Sequence, residues 1–216
     1  MEIIPAILES DWKNVEGKIK QVEGLTDWIQ LDVSDGLFTD NKTWSNPHDL
    51  FGVRLNLNQE VHLMINNPWE SAEAWLASPA KRIVVQVEAL ASPESVKFAE
   101  IVFTAKKYGK EVVWGFKIET DWEPYKELVR DPHARVLFLA VEPGRQGQEF
   151  NPAVLEKIKS LQAAHPRVKI AVDGGINLEN IKLVKESGAA SAVVGSYIFN
   201  SSDPKTALNR LVEKVI

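Results

Sequence analysis

The chain has 216 residues, 44% apolar and 25% charged, the make-up of a globular protein rather than a disordered or fibrous one. Its 25 Lys and Arg against 30 Asp and Glu leave a formal charge of -5, which offers no general attraction to nucleic acid or anionic lipid. The absence of cysteine excludes a disulfide framework, a thiolate nucleophile and a cysteine-held metal, and it fits the cytoplasm.

Short β-branched runs alternate with longer charged amphipathic stretches. In chain order the strand candidates are EIIPAIL, DWIQLDV, EVHLMI, RIVVQVEA, EVVWGFKI, RVLFLAV, VKIAVDGG and SAVVGS. Several are apolar at consecutive positions, which suits parallel strands buried on both faces, although a buried helix can mimic any single run. Between them, Asp11 is placed to cap a helix from Trp12, and Pro68-Trp69-Glu70 opens another. Ser92-Pro93-Glu94 supplies a cap, an N1 proline and an early acid ahead of a helix with Val96, Ala99, Ile101, Val102 and Ala105 on its apolar face. Asn151-Pro152, Asn177 and Asp203-Pro204 introduce three more helices. Between Asn46 and Asn56, Pro47 and Asp49 can start only a short one. The acidic, early-proline N-terminus does not read as a signal peptide, and no apolar run is long enough to span a bilayer. Eight strand–helix units predict an α/β protein, a single TIM barrel of eight parallel strands ringed by helices, with residues 1–216 as one domain.

Chemistry in such a barrel gathers at the C-terminal ends of the strands. Polar residues interrupt the strands at Gln30, Asp32 and Asp35, at His62 beside Met64, at Gln86 and Glu88, and at Asp173. Gln30 and Asp32 share one strand face, as do Gln86 and Glu88. Asp32 and Asp173 come from strands on opposite sides of the ring and can face each other across a small substrate. An acid and a base on opposite faces of a carbon invert a stereocentre by taking a proton from one face and returning one to the other. The same residues are compatible with blander roles: a turn cap for Asp32 or Asp35, loop-amide binding for Asp173, and a hydrogen-bonded core histidine for His62. Glycine turns after the last three strands, carrying Gly144 and Gly147, Gly174 and Gly175, and Gly195 before Ser196, expose backbone N–H groups suited to an anion, or simply satisfy turn geometry. Arg145 is placed either to assist a phosphate or to face solvent.

These motifs, in this order, resemble the ribulose-phosphate 3-epimerase family over nearly the whole chain. PAIL resembles the family's PSIL, IQLDVSDGLF its IHVDVMDGHF, VHLMINNP its VHLMVENP, and AVEPGRQGQEF its SVNPGFGGQ.F; the closing VDGGIN and AVVGSYIF match VDGGIN and VAGSAIF. The resemblance implies epimerisation at carbon 3 of a ketopentose 5-phosphate, ribulose 5-phosphate to xylulose 5-phosphate, through an enediolate. It implies Asp32 and Asp173 as acid and base, and both, with His62, as ligands of a divalent zinc, iron, manganese or cobalt ion. It further implies a phosphate seat on the loops of Gly144, Gly147, Gly174, Gly175, Gly195 and Ser196, shielding of the enediolate by Met64, and a homo-oligomer.

The sequence also departs from the family pattern. Gln30 stands where the family has its other metal histidine, and an amide oxygen is a poorer ligand than imidazole for zinc or iron. Ala6 replaces a serine, Ser34 and Leu139 replace methionines, Gln86 replaces a histidine, and Arg145 and Gln146 alter the GFGG turn. The retained aspartates fit altered metal use, another sugar phosphate, or metal-free chemistry, with Gln30, Gln86, His62 or backbone N–H groups as donors. A catalytically weak relative that binds a phosphorylated metabolite is the alternative. A barrel decarboxylase is disfavoured, because Asp32-Val33-Ser34-Asp35 lacks the lysine of an Asp-x-Lys-x-x-Asp arrangement. Of seven tryptophans, Trp12, Trp69 and Trp122 are expected to pack structurally, and Trp44 to cover a pocket or meet a neighbouring subunit.

Overall fold

The computed structural model describes residues 1–53 and 55–216. Eight parallel strands close into a barrel in sequence order: β1 (Glu2–Ile7), β2 (Trp28–Ser34), β3 (Asn58–Met64), β4 (Arg82–Gln86), β5 (Glu111–Phe116), β6 (Arg135–Leu139), β7 (Lys169–Asp173) and β8 (Ser191–Val194). The outer helices are α1 (Trp12–Val22), α2 (Trp69–Ala77), α3 (Lys97–Lys107), α4 (Ala153–Ala164), α5 (Ile181–Glu186), α6 (Ser196–Phe199) and α7 (Pro204–Val215). Among the described residues, no helix is long and apolar enough to cross a membrane.

The runs of consecutive apolar residues are explained by two separate cores. In β1, Ile3 and Ile7 point outward and pack under the helices, whereas Ile4 and Ala6 point into the barrel. The interior plug consists of Ile4, Ala6, Val84, Val113, Leu137, Leu139 and Val193. Strands β1, β4, β5, β6 and β8 therefore present an apolar side to each core, whereas β2 and β3 alternate, with Ile29, Leu31, Val33, Val61 and Leu63 under the helices and the polar Gln30, Asp32, Glu60 and His62 between them.

Several caps act as the sequence implies. Asp11 accepts from Asn14 N at 3.0 Å to start α1, and Asp203 accepts from Lys205 N and Thr206 N to start α7. Two helical crossovers are reduced to 3-10 turns, Pro47–Gly52 after β2 and Glu123–Val129 after β5. After β5, Lys157 of α4 compensates by donating to the carbonyls of Lys117, Ile118 and Thr120, tying that loop to the next crossover.

The helix expected directly after Ser92-Pro93-Glu94 instead starts at Lys97. Ala91 lies at φ 67, and the chain turns once more through Ser95 N to Ser92 O before it can wind. The buried face of α3 is accordingly Phe98, Ile101 and Ala105, while Val96 and Ala99 are exposed. Glu88 also leaves the strand face expected for it: it lies in a 3-10 turn, Val87–Leu90, and accepts from Lys117 N. Trp44, expected to cover a pocket or meet a neighbouring subunit, is buried between Trp12 and Trp75, at ring distances of 4.9 and 5.6 Å, and donates to Asp49.

At the N-terminal end of the strands, the barrel is closed by a buried ion pair between Arg82 and Glu60, with the guanidinium 3.7 Å from the Trp28 ring centre. Burial pushes the Glu60 carboxyl above its ordinary value, and Arg82 only partly opposes this. Removing one partner of such a pair strands the other charge. Arg82→Ala is expected to lose about 3–5 kcal/mol in urea unfolding, whereas Glu60→Leu with Arg82→Met should recover most of it. Equal losses in the single and double variants would contradict this role.

Candidate active site

At the opposite end of the barrel, the parallel register brings polar side chains from neighbouring strands onto one level. Asp32 pairs in register with His62, and His62 with Val84. Asp173 ends β7, and Gln30 and Gln86 point inward below the rim. Gln30, His62 and Gln86 are fully buried, while the side chains of Asp32 and Asp173 keep 9% and 14% exposure at the cleft floor.

Gln30 holds this group together. Its Nε2 donates to Asp32 Oδ1 at 2.8 Å and to Asp173 Oδ2 at 2.8 Å, so one nitrogen joins β2 to β7. The same nitrogen lies 3.4 Å from His62 Nδ1. That ring atom is 3.4 Å from Asp32 Oδ1 and 3.7 Å from Asp173 Oδ2. On the far side of the ring, Gln86 Nε2 lies 2.7 Å from His62 Nε2. With that amide donating, the ring proton sits on Nδ1, facing the aspartates. Gly115 leaves the notch that Gln86 occupies, since a Cβ there would lie 2.5 Å from Nε2.

The electrostatics follow from this crowding. Burial first, and then the Asp32 carboxylate, push Asp173 up to about 7, against the opposing pull of His62 and the Gln30 hydrogen bond. Burial works to lower the His62 pKa, but the hydrogen bond and charge of Asp32, with Asp173 and Glu60, raise it overall. Among the described residues, Asp32 Oδ2 and Asp173 Oδ1 make no protein hydrogen bond. Those oxygens are the ones left for a reactant.

Above them is a narrow cleft of about 50 Å³ that opens to solvent. Met64, Gly144, Gly147, Gly174, Gly175, Gly195 and Ser196 all border it, so the sequence-derived site residues converge on one place. Gly174 (φ 108) and Gly175 (φ 67) have backbone forms that other residues rarely adopt, and a Cβ would strike Val141 and the Phe150 backbone. The β2 loop docks on the β6 loop across the rim, through Asn41 Nδ2 to Gly144 O. Arg145 turns to that rim and pairs with exposed Asp40. Asp35 serves the loop instead of the cleft. Burial would raise its pKa, but N–H groups of Phe38, Leu37 and Asn66 outweigh burial and hold it low.

Sequence reasoning missed two contributors. Thr43 Oγ1 accepts from Ser34 N and donates to Asp32 O, fixing the backbone that carries Asp32. Gln146 brings a buried, unpartnered Nε2 to the cleft beside Gly195. The only sign of Gln146 in the sequence was its departure from a glycine turn.

Asp32, His62 and Asp173 offer metal-ligand atoms within 4.8 Å of one another. The point on which these atoms converge, however, is held by the Gln30 –NH2 group. The atom by which Gln30 would ligate, Oε1, is buried and has no partner among the described residues. As arranged, the four side chains fit hydrogen bonding among themselves, not a cation about 2.0–2.2 Å from each donor.

A model described as the ribulose-phosphate 3 epimerase family matches residues 2–199. The ribulose-phosphate 3-epimerase of Mycobacterium tuberculosis is 32% identical over 216 residues, covering 97% of this chain and 90% of that protein. That of Bacillus subtilis is 33% identical over 219 residues, covering 98% of each. The cytoplasmic isoform of ribulose-phosphate 3-epimerase from Oryza sativa subsp. japonica is 29% identical, covering 99% of this chain and 94% of that one. The crystal structure of a 3-hexulose-6-phosphate synthase superposes with a TM-score of 0.73 over 100% of both chains at 19% identity, a likeness of fold alone.

A carboxyl with a raised folded-state pKa loses stability as pH climbs from its ordinary 3.8 toward about 7, because folding disfavours its charged form there. Asp173→Asn keeps an acceptor for Gln30 and removes that charge. Its melting temperature should therefore gain on the parent between about pH 5 and about pH 8, by roughly 3 °C or more at the upper end. A difference independent of pH would contradict the raised value.

Proposed function

The chain belongs to the ribulose-phosphate 3-epimerase family, and we propose that it interconverts ribulose 5-phosphate and xylulose 5-phosphate by inverting carbon 3. The observation that carries this reading is the carboxylate pair, Asp32 from β2 and Asp173 from β7, on the floor of a cleft rimmed by glycine turns. One carboxylate takes the proton from carbon 3. The electron pair moves toward the carbon 2 carbonyl, giving an enediolate. The other residue, as the carboxylic acid, delivers a proton to the opposite face. The reverse reaction exchanges the roles, so each residue must serve as acid in one direction and base in the other. A carboxyl titrating near neutrality suits both tasks, and Asp173, at about 7, is such a group.

The phosphate is assigned to the turns of Gly144, Gly147, Gly174, Gly175, Gly195 and Ser196, where backbone N–H groups can meet its oxygens. Gln146 Nε2 adds a donor that has no partner among the described residues. Met64, buried at the cleft wall, keeps water from the enediolate. A divalent zinc, iron, manganese or cobalt ion, when bound, would stabilise the enediolate by charge. The Gln30 nitrogen stands where it would bind, and the proton transfers above need only the chain's own side chains. The reading takes residues 1–216 as one domain. It places the protein in the cytoplasm, in keeping with the isoform name of the rice relative. It includes self-association, for which exposed Phe51 and Phe103 offer apolar surface.

In heavy water, ribulose 5-phosphate should take up deuterium at carbon 3 while xylulose 5-phosphate forms. Asp32→Asn and Asp173→Asn should each lower kcat by about 10²–10⁴ with an unchanged circular dichroism spectrum. Sugar-phosphate binding without exchange would leave a metabolite-binding protein and defeat the epimerase reading. Gln146→Ala should raise KM about tenfold, about 1.4 kcal/mol, with little change in kcat. A fall in kcat alone would place Gln146 outside phosphate binding.

A further inference from the structure

We infer that the Gln30 amide takes the place of a cation in this chain, and that the catalytic carboxylates are held together by hydrogen bonds instead of a metal. The inference deepens the epimerase reading, but its binding arm does not depend on which sugar phosphate is the substrate.

Two amides carry the argument. An amide nitrogen has two N–H donors, and Gln30 uses one on each aspartate, 2.8 Å away in both cases. The two carboxylate oxygens and His62 Nδ1, the atoms that would otherwise surround an ion, all face this one nitrogen. Turning the amide over would set Oε1 against two carboxylate oxygens, which is unfavourable unless a proton or a cation lies between them. Hydrogen bonding and ion binding therefore compete for the same space.

Gln86 acts on the third ligand. It meets His62 Nε2 at 2.7 Å and is seated in the notch that Gly115 leaves. Donation to Nε2 puts the ring proton on Nδ1, so the imidazole presents an N–H to the aspartates where a ligand would need a lone pair. Gln30 and Gln86 are independent residues on different strands, β2 and β4. Both turn metal-ligand types into satisfied hydrogen-bond partners.

The test combines metal analysis of the purified full chain, calorimetric titration with zinc or manganese, and the heavy-water exchange assay before and after chelation. The parent protein should hold well under one equivalent of metal and show no saturable binding at micromolar concentration. Its exchange rate should change less than about twofold on chelation. Gln30→His supplies an imidazole and removes the bridging nitrogen, so it should bind one zinc per chain at least about 100-fold more tightly than the parent. Gln30→Met, close in volume but without donors, should keep the circular dichroism spectrum and lose exchange by about 100-fold or more, with or without added metal. Stoichiometric submicromolar metal binding by the parent would overturn the inference. So would exchange lost on chelation and restored by metal, or a Gln30→His variant that folds but gains no affinity. Absence of exchange under every condition would count against the epimerase reading and leave the binding result standing.

Discussion

Two carboxylates that approach one another inside a barrel repel, and this repulsion is the constraint around which the rest of the site is arranged. Asp32 and Asp173 are both bonded through one Gln30 nitrogen. If that nitrogen moved away, the ring closure joining β2 to β7 through the site would carry an uncompensated pair of buried charges. With it in place, the outer oxygens of the two carboxyls are free to meet a reactant. The raised pKa of Asp173 is the residual strain of that arrangement, and the proposed chemistry uses it: a carboxyl that is partly protonated near neutrality can serve as an acid.

The remainder of the barrel keeps this upper layer rigid. At its base, Arg82 neutralises Glu60 beneath Trp28. Above lies the apolar plug of Ile4, Val84, Leu137 and Val193, beneath the polar layer. Thr43 fixes the Asp32 backbone from outside, and Gln86, admitted by Gly115, holds His62 from the side. Rigid packing of this kind is what allows two acids to keep a useful separation instead of relaxing apart. The same layer is where stability is given up for chemistry, which is why removing a charge there should make the fold firmer.

The strands were legible because burial on both faces leaves consecutive apolar residues, a signal that one sequence carries by itself. The alternating units were legible for the same reason. The crossovers were less so. The 3-10 turns after β2 and β5 satisfy the same need to return the chain as a longer helix would, and Ser92-Pro93-Glu94 spells a helix start that the extra turn at Ala91 postpones. In the site, Asp32, His62 and Asp173 stood out as polar residues in apolar strands. What no linear pattern revealed was how they are joined. Gln30 read as a weakened ligand, because spacing says nothing of which end of an amide faces the aspartates. Gln86 read as a donor to substrate, whereas it contacts a ring on the neighbouring strand. Thr43, eleven residues from Asp32, left no mark in the sequence.

The most direct measurement is nuclear magnetic resonance of the Gln30 side-chain amide in protein freed of metal. The account predicts two distinct amide protons, both slow to exchange with solvent, unmoved by added zinc and collapsed when either aspartate is replaced by alanine. A rapidly exchanging amide that becomes ordered only on binding stoichiometric zinc would contradict it.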